Sequence, residues 1–397
     1  MTSHHAAHTG GLAAGRPALT ILILWAAGLG AAAQYGKVSV LYDRLGTIYP
    51  EAGPALGLAV SLVGAAGILF GAVSGTLIAR VGPRRALLWA FPLGAALSAL
   101  QAALPPMWLF LASRLVEGAA HLAIVVAAPT LIAQIAPERH RGLAMTLWGS
   151  FFGVAFAVLA FAGLALVRAA GVPALFLAHA FYMAAAGLIL ARRLAPDPPP
   201  ADTARPAGAG ALVAGQLNVY LSPRMGAPAL GWIFYTFSFI SVLTLAPPDL
   251  PAGLRAGVAT AMPLAGIATS LAIGAPLMRR VSAVRVAMAG FALALVLALA
   301  LAVRPGDAAL LMAFAAALGL IQGTTFAMVP ELNADTPARA RANGALAQAG
   351  NIGNTLGTPV MAAAIGAAGA PALGLTAAGA MAAGLALHLA MAAARRR

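Results

Sequence analysis

The stretch Gly75-Thr76-Leu77-Ile78-Ala79-Arg80-Val81-Gly82-Pro83-Arg84-Arg85 closes one apolar run and opens the next. Gly82-Pro83 marks a tight turn, because glycine tolerates positive φ while proline fixes its own φ and donates no main-chain N–H. Three arginines crowd that turn. Short Arg-rich loops between membrane spans stay on the cytoplasmic side. This loop therefore orients the segments on either side of it.

Composition says that such segments fill the chain. Of 397 residues, 61% are hydrophobic and only 9% charged, with a mean hydropathy of +0.91. Soluble domains carry about 25% charged residues, so lipid is the main solvent here. Long unbroken apolar runs exclude a membrane β-barrel, whose strands alternate in polarity. The net charge of +14 raises nucleic acid as a partner. Its arginines lie between apolar runs, however, and positive-inside topology accounts for them instead. With no cysteine there is neither a disulfide framework nor thiol chemistry.

At about 20 residues per span, the runs resolve into twelve predicted helices: 17–41, 54–79, 85–103, 106–135, 142–167, 173–194, 226–246, 254–278, 282–303, 307–332, 342–366 and 371–394. Placing both termini in the cytoplasm puts eighteen Lys and Arg residues inside and six outside, as the charge rule requires. The polar N-terminus to Arg16, with His4, His5 and His8, reads as a tail rather than a metal site, and the first run reads as a retained helix. Residues 195–224 hold six prolines and too little apolar bulk to order themselves, which reads as a cytoplasmic linker. The domains are then 1–194, a first six-helix bundle, the linker 195–224, and 225–397, a second bundle. A shift of 200 residues superposes Leu77, Arg80, Val81 and Arg85 on Leu277, Arg280, Val281 and Arg285, and Pro137, Arg139, Arg141 and Gly153 on Pro337, Arg339, Arg341 and Gly353.

The opening stretch resembles the loop between the second and third helices of major facilitator superfamily (MFS) transporters. Gly75, Arg80, Gly82, Arg84 and Arg85 match its pattern, while Ala79 stands where the family has an Asp. Arg114-Leu115-Val116-Glu117-Gly118 similarly resembles the family's fourth-helix motif, whose Arg is linked to proton coupling or substrate binding. Gly149 and Gly153 partly match the antiporter ladder of the fifth helix, but Val154 replaces its proline. Two parallel six-helix halves joined by a cytoplasmic linker are that family's architecture. The resemblance implies an all-α membrane protein with a substrate site between the halves and a gating loop at 75–85. Short loops and compact length look closest to permeases of the cyanate type.

Ionisable groups inside spans are expensive and default to function. Arg114, Glu117 and His121 share a face of span four at spacings of three and four, an ion pair beside a titratable ring. Gln34 and Lys37 share a face of span one. Lys37 either snorkels to the outer headgroups or turns to the cavity and draws in an anion. Tyr235 and Ser238 in span seven, and Gln322 in span ten, are cavity candidates; Glu331 caps a helix or pairs with cytoplasmic arginines. Span eleven is polar: Asn351, Asn354 and Thr355 line one face, and Gly350, Gly353 and Gly357 another suited to close helix approach.

No phosphate loop, HExxH or Gly-x-Ser-x-Gly motif occurs, so an enzyme is not expected, nor a cofactor or metal. The expected function is secondary transport of a small organic solute across a bacterial inner membrane. Coupling to protons, a lean toward anionic or zwitterionic substrates and a monomeric state complete the reading. The rival reading is a membrane sensor or scaffold of the same fold without flux.

Overall fold

Alanine and leucine, both strong helix formers, fill the apolar runs, and in the computed structural model each predicted span is helical. The structure describes residues 17–137, 144, 147–197, 217–334 and 336–396. The His4, His5 and His8 tail, Arg139, Arg141, Arg205 and most of the predicted linker lie outside the described residues.

The first six helices are α1 (Pro17–Ser39), α2 (residues 56–81), α3 (Pro83–Ala102), α4 (Met107–Ile135), α5 (Leu147–Ala170) and α6 (Val172–Arg193). The last six are α7 (Gly226–Leu245), α8 (Ala252–Leu277), α9 (Ala283–Val303), α10 (Ala308–Leu332), α11 (Thr336–Ala368) and α12 (Pro371–Ala394). Among the described residues nine of these are long and apolar enough to cross a membrane by length and composition. The exceptions are α2, α3 and α11. In α3 the charge of Arg84 and Arg85 dilutes the apolar run, and α11 carries the amides that lower its hydropathy.

Three details depart from the sequence reading. Helix α11 begins at Thr336 rather than at 342. A short helix, Tyr42–Ile48, and a 3₁₀ turn, Pro50–Ala55, fill the connection between α1 and α2. Residues 217–221, assigned to the linker, are helical, because Val219 is apolar and packs against Ala229, Ala345 and Ala349.

Within the first six helices α1 packs on α4, α5 and α6, and α3 packs on α6. The last six pair α7 with α11 and α9 with α12 and α10. Two seams join the sets: α2 lies along α11, and α5 lies along α8. The α7–α11 contact uses the glycine face expected from the sequence. A methyl at Gly353 would meet Thr236, and one at Gly357 would meet Ser241 and the Phe237 carbonyl.

Candidate functional site

Lys37, Arg114 and Glu117 are fully buried, and the apolar helices around them supply no water. Such charges persist only when paired and hydrogen-bonded. Lys37 Nζ lies 2.6 Å from Glu117 Oε1, and Arg114 Nη1 pairs with Glu117 Oε2 one helical turn away. Gln101 Nε2 of α3 donates to the same Glu117 oxygen at 2.9 Å. Lys37 also donates to Ser98 of α3 and lies 3.3 Å from His179 Nδ1 of α6, with the Phe176 ring 5.6 Å away. His179 Nε2 donates to the Gly30 carbonyl at 2.9 Å, which leaves Nδ1 to accept from Ser98 at 2.6 Å and from Lys37. Two cations therefore share one carboxylate, and every partner of Lys37 belongs to α3, α4 or α6.

Arg114 is the brace of this cluster. Its Nε donates to the Ala59 carbonyl at 2.7 Å, and its Nη2 donates to the carbonyls of Gln34 at 2.6 Å and Val60 at 3.4 Å. The reason lies in α2, which breaks into a 3₁₀ turn at Leu62–Gly64 immediately after those carbonyls. Gly118, one residue beyond Glu117, lets the turn come close: a methyl there would sit 2.5 Å from the Val63 carbonyl. The Arg-x-x-Glu-Gly pattern thus holds α4 against both α1 and the break in α2.

The α2–α11 seam is equally close. A methyl at Gly57 would lie 2.9 Å from Pro359, and methyls at Gly64, Gly67 and Gly71 would meet Thr355, Asn351 and Gln348. Gln348 Nε2 donates across the seam to the Ile68 carbonyl at 2.9 Å. The Tyr35 and Thr355 hydroxyls lie close together beside Gly64, and neither has a hydrogen-bond partner. The hydroxyls of Ser61 and Ser238 are buried without any partner. A chain of rings crosses between the helix sets: Tyr35 to Phe152 at 5.8 Å, Phe152 to Phe156 at 5.3 Å, Phe156 to Phe239 at 6.1 Å. It continues with Phe239 to Tyr235 at 5.5 Å and Tyr235 stacked on Trp232 at 4.3 Å. At the end opposite the Arg-rich loop, Ser39 and Thr244 share a hydrogen bond of 2.5 Å and Arg255 approaches Asp43 at 3.9 Å. A cleft of about 420 Å³ lies there, lined by Tyr42, Leu56, Leu245 and Asp249 among others.

The structure sorts the residues singled out from the sequence. Lys37, Arg114 and Glu117 come together; the snorkelling alternative for Lys37 fails, since its ammonium turns inward to a carboxylate. His121 does not join them. Its Nδ1 donates to the Ala31 carbonyl at 3.0 Å and its ring meets Tyr35 edge-on at 5.1 Å. The Gln34 side-chain amide is buried without a hydrogen-bond partner, near Gly94 of α3. Tyr235 and Ser238 are buried, Thr355 lies on the seam, and Asn351 donates back to the Ala347 carbonyl of its own helix. Gln322 and Asn354 are half-buried and bond to neither group. His179, Ser98 and Gln101 escaped the sequence reading, although the cost of an intramembrane histidine was the signal for His179.

The Arg-rich loop makes contacts of its own. Gly82 has φ of +95°, as the turn requires. Arg84 donates to the carbonyls of Ala191 and Leu194 at the end of α6. Asp197 returns the tie by accepting from the main-chain N–H of Arg84 and Arg85, both at 2.9 Å. In the repeat, Glu331 Oε2 accepts from Ala283 N at 2.7 Å, the capping role foreseen for it. The contacts of Arg84 thus fall within the first six helices. Arg80 Nε is buried without a hydrogen-bond partner.

Comparison with known proteins agrees with this architecture. Two solved structures of FucP share the fold: the E. coli fucose:proton symporter (N162A), and FucP in the outward conformation. Each is 17% identical with a TM-score of 0.65 over 94% of this chain, and the matches cover 99% and 98% of the FucP chains. No curated protein sequence matches the chain. Nothing in these comparisons supports the cyanate-permease type. Residues 20–254, more than half of the chain, match the family model described as Major Facilitator Superfamily, and this multi-pass membrane protein belongs to that superfamily.

Proposed function

We propose that the chain is a secondary active transporter that moves a small organic solute across a bacterial inner membrane by alternating access, coupled to protons. It crosses the membrane twelve times with both termini in the cytoplasm, as two six-helix halves, 1–194 and 225–397, joined by the linker 195–224. The observation that carries this reading is the contrast between the two kinds of contact. Buried charges are sealed inside one half, whereas the halves meet through glycines, hydroxyls, rings, one amide and the solvent-exposed Arg255–Asp43 pair, contacts that can separate without stranding a buried ion. Rigid-body rocking of one half on the other around a central site is the transport mode such seams suit.

Proton exchange takes place in the charged cluster. Lys37 faces Arg114 and Glu117 on α4, Ser98 on α3 and His179 on α6. A proton leaving Lys37 through Ser98 or His179 leaves Arg114 and Glu117 as a balanced pair, so the cluster holds two charge states without an unpaired carboxylate. The loop 75–85 acts as a latch, with Arg84 fixing α3 to α6 and Arg80 free to engage the opposite half. The test is solute counterflow and pH-driven uptake in proteoliposomes. Lys37→Met should retain counterflow and lose pH-driven accumulation; unchanged accumulation in that variant would overturn proton coupling through the cluster. Absence of any solute exchange by the parent would favour a sensor or scaffold.

A further inference from the structure

Nearly all donors of the charged cluster are spent on groups of the first half, and the substrate class follows from what the seam keeps free. Four of the five N–H donors of Arg114 are engaged, three contacts being with main-chain carbonyls of its own half. The ammonium of Lys37 reaches only groups on α3, α4 and α6. Lys37 has no free donor, and Arg114 keeps a single N–H on Nη1, beside the Glu117 carboxylate. What the seam offers instead is the Tyr35–Thr355 hydroxyl pair and the ring chain Phe152, Phe156, Phe239 and Tyr235, with the unpartnered Ser238 hydroxyl on the same helix as Tyr235 and Phe239. Resting on the transporter reading above, we infer that the central site takes an uncharged, hydroxyl-bearing ring solute, recognised by these hydroxyls and packed against these rings.

The physical case has two parts. A carboxylate, phosphate or ammonium entering a seam whose neighbouring charges are already paired would lose its hydration with little to replace it, a cost that weakens its binding. A neutral hydroxylated ring instead presents a flat apolar face to aromatic side chains and donors and acceptors to the orphan hydroxyls, which otherwise stay buried and unsatisfied. Few, well-placed polar groups in an apolar wall are the usual makeup of a small-molecule site. The anionic lean drawn from the sequence required Lys37 or Arg114 to face the substrate, and their geometry removes that basis.

Equilibrium binding and counterflow should be measured on the full-length protein in proteoliposomes with matched radiolabelled probes: an aldohexose, a nucleoside, a hexuronate, a sugar phosphate and an amino acid. The expected result is exchange of a neutral probe, with its charged counterpart at least about tenfold weaker. Tyr35→Phe and Thr355→Val should each weaken the neutral probe by about tenfold, the loss of one hydrogen bond, while Thr355→Ser keeps the hydroxyl and the affinity. Exchange of a charged probe in preference to its neutral counterpart would overturn the substrate class and leave the transporter reading standing. Unchanged affinity in both hydroxyl-deleted variants would do the same. Exchange of no probe of either kind would count against both readings.

Discussion

Replacing Glu117 by glutamine should reverse the sign of a second substitution. In the parent, Glu117 carries both Lys37 and Arg114. Glu117→Gln leaves two buried cations with no carboxylate. Breaking a buried pair from one side costs roughly 3–5 kcal/mol, and a single change here strands two partners. Arg114 keeps three carbonyl contacts in compensation; Lys37 keeps Ser98, the His179 ring and the face of Phe176 but no anion, so most of the penalty falls on Lys37. Lys37→Met alone removes one ion pair but leaves Arg114 and Glu117 matched one to one, a loss of about 1 kcal/mol. Added to Glu117→Gln, the same substitution removes the stranded ammonium and should recover about 2 kcal/mol. The cycle then gives a coupling near 3 kcal/mol, at the upper end for contacting residues. Denaturation titrations of the four proteins in mixed micelles, checked by thermal unfolding, measure it. If Lys37→Met destabilises the Glu117→Gln protein as much as the parent, the cluster is not the charge-sharing unit described here.

Other substitutions separate bracing from transport. Arg114→Lys keeps the charge but loses the planar fork and the carbonyls of α2; it should lower stability by about 2 kcal/mol and slow counterflow while solute affinity stays within about threefold, and an intact unfolding profile would contradict the bracing role. Gly64→Ala drives a methyl into the Tyr35 and Thr355 hydroxyls, so flux should fall more than tenfold in a protein whose helical content by circular dichroism is unchanged. Asp197→Ala removes the cap of α3 and should cost about 1 kcal/mol, read as a lower unfolding midpoint with no change in solute affinity. Reporter fusions after Arg193 and after Arg397 should both report cytoplasm, and one on each side would sink the twelve-span topology.

The fold was open to reading because helix boundaries and loop charges are local. Gly82-Pro83 with its arginines, and the repeat of that pattern 200 residues on, needed no long-range contact to interpret. The pairing of Arg114 with Glu117 was open for the same reason, since residues three apart on a helix are neighbours by geometry. The direction of Lys37 was not. Helices that are apolar all round carry no stripe to say which face turns inward, so whether Lys37 met lipid, substrate or Glu117 depended on how α1 rotates against α4. The α2 break was hidden too, because Gly64 is one of 44 glycines and only its contact with Tyr35 and Thr355 sets it apart. Charge placement relative to the seam, on which the proposed substrate class rests, is a tertiary property.

The 3₁₀ turn at Leu62–Gly64 makes the length of α2 adjustable. A 3₁₀ residue rises about 2.0 Å and an α residue about 1.5 Å, so relaxing three residues to α geometry would shorten α2 by about 1.5 Å. The same relaxation would direct the N–H groups of Val63 and Gly64 to the carbonyls of Ala59 and Val60, the two α2 acceptors that Arg114 holds. Arginine and backbone would then share the two lone pairs of each of these oxygens. Relaxation of that turn would therefore compete with the hold of Arg114 on α2 and would shift Gly57 along Pro359 by a fraction of a helical turn.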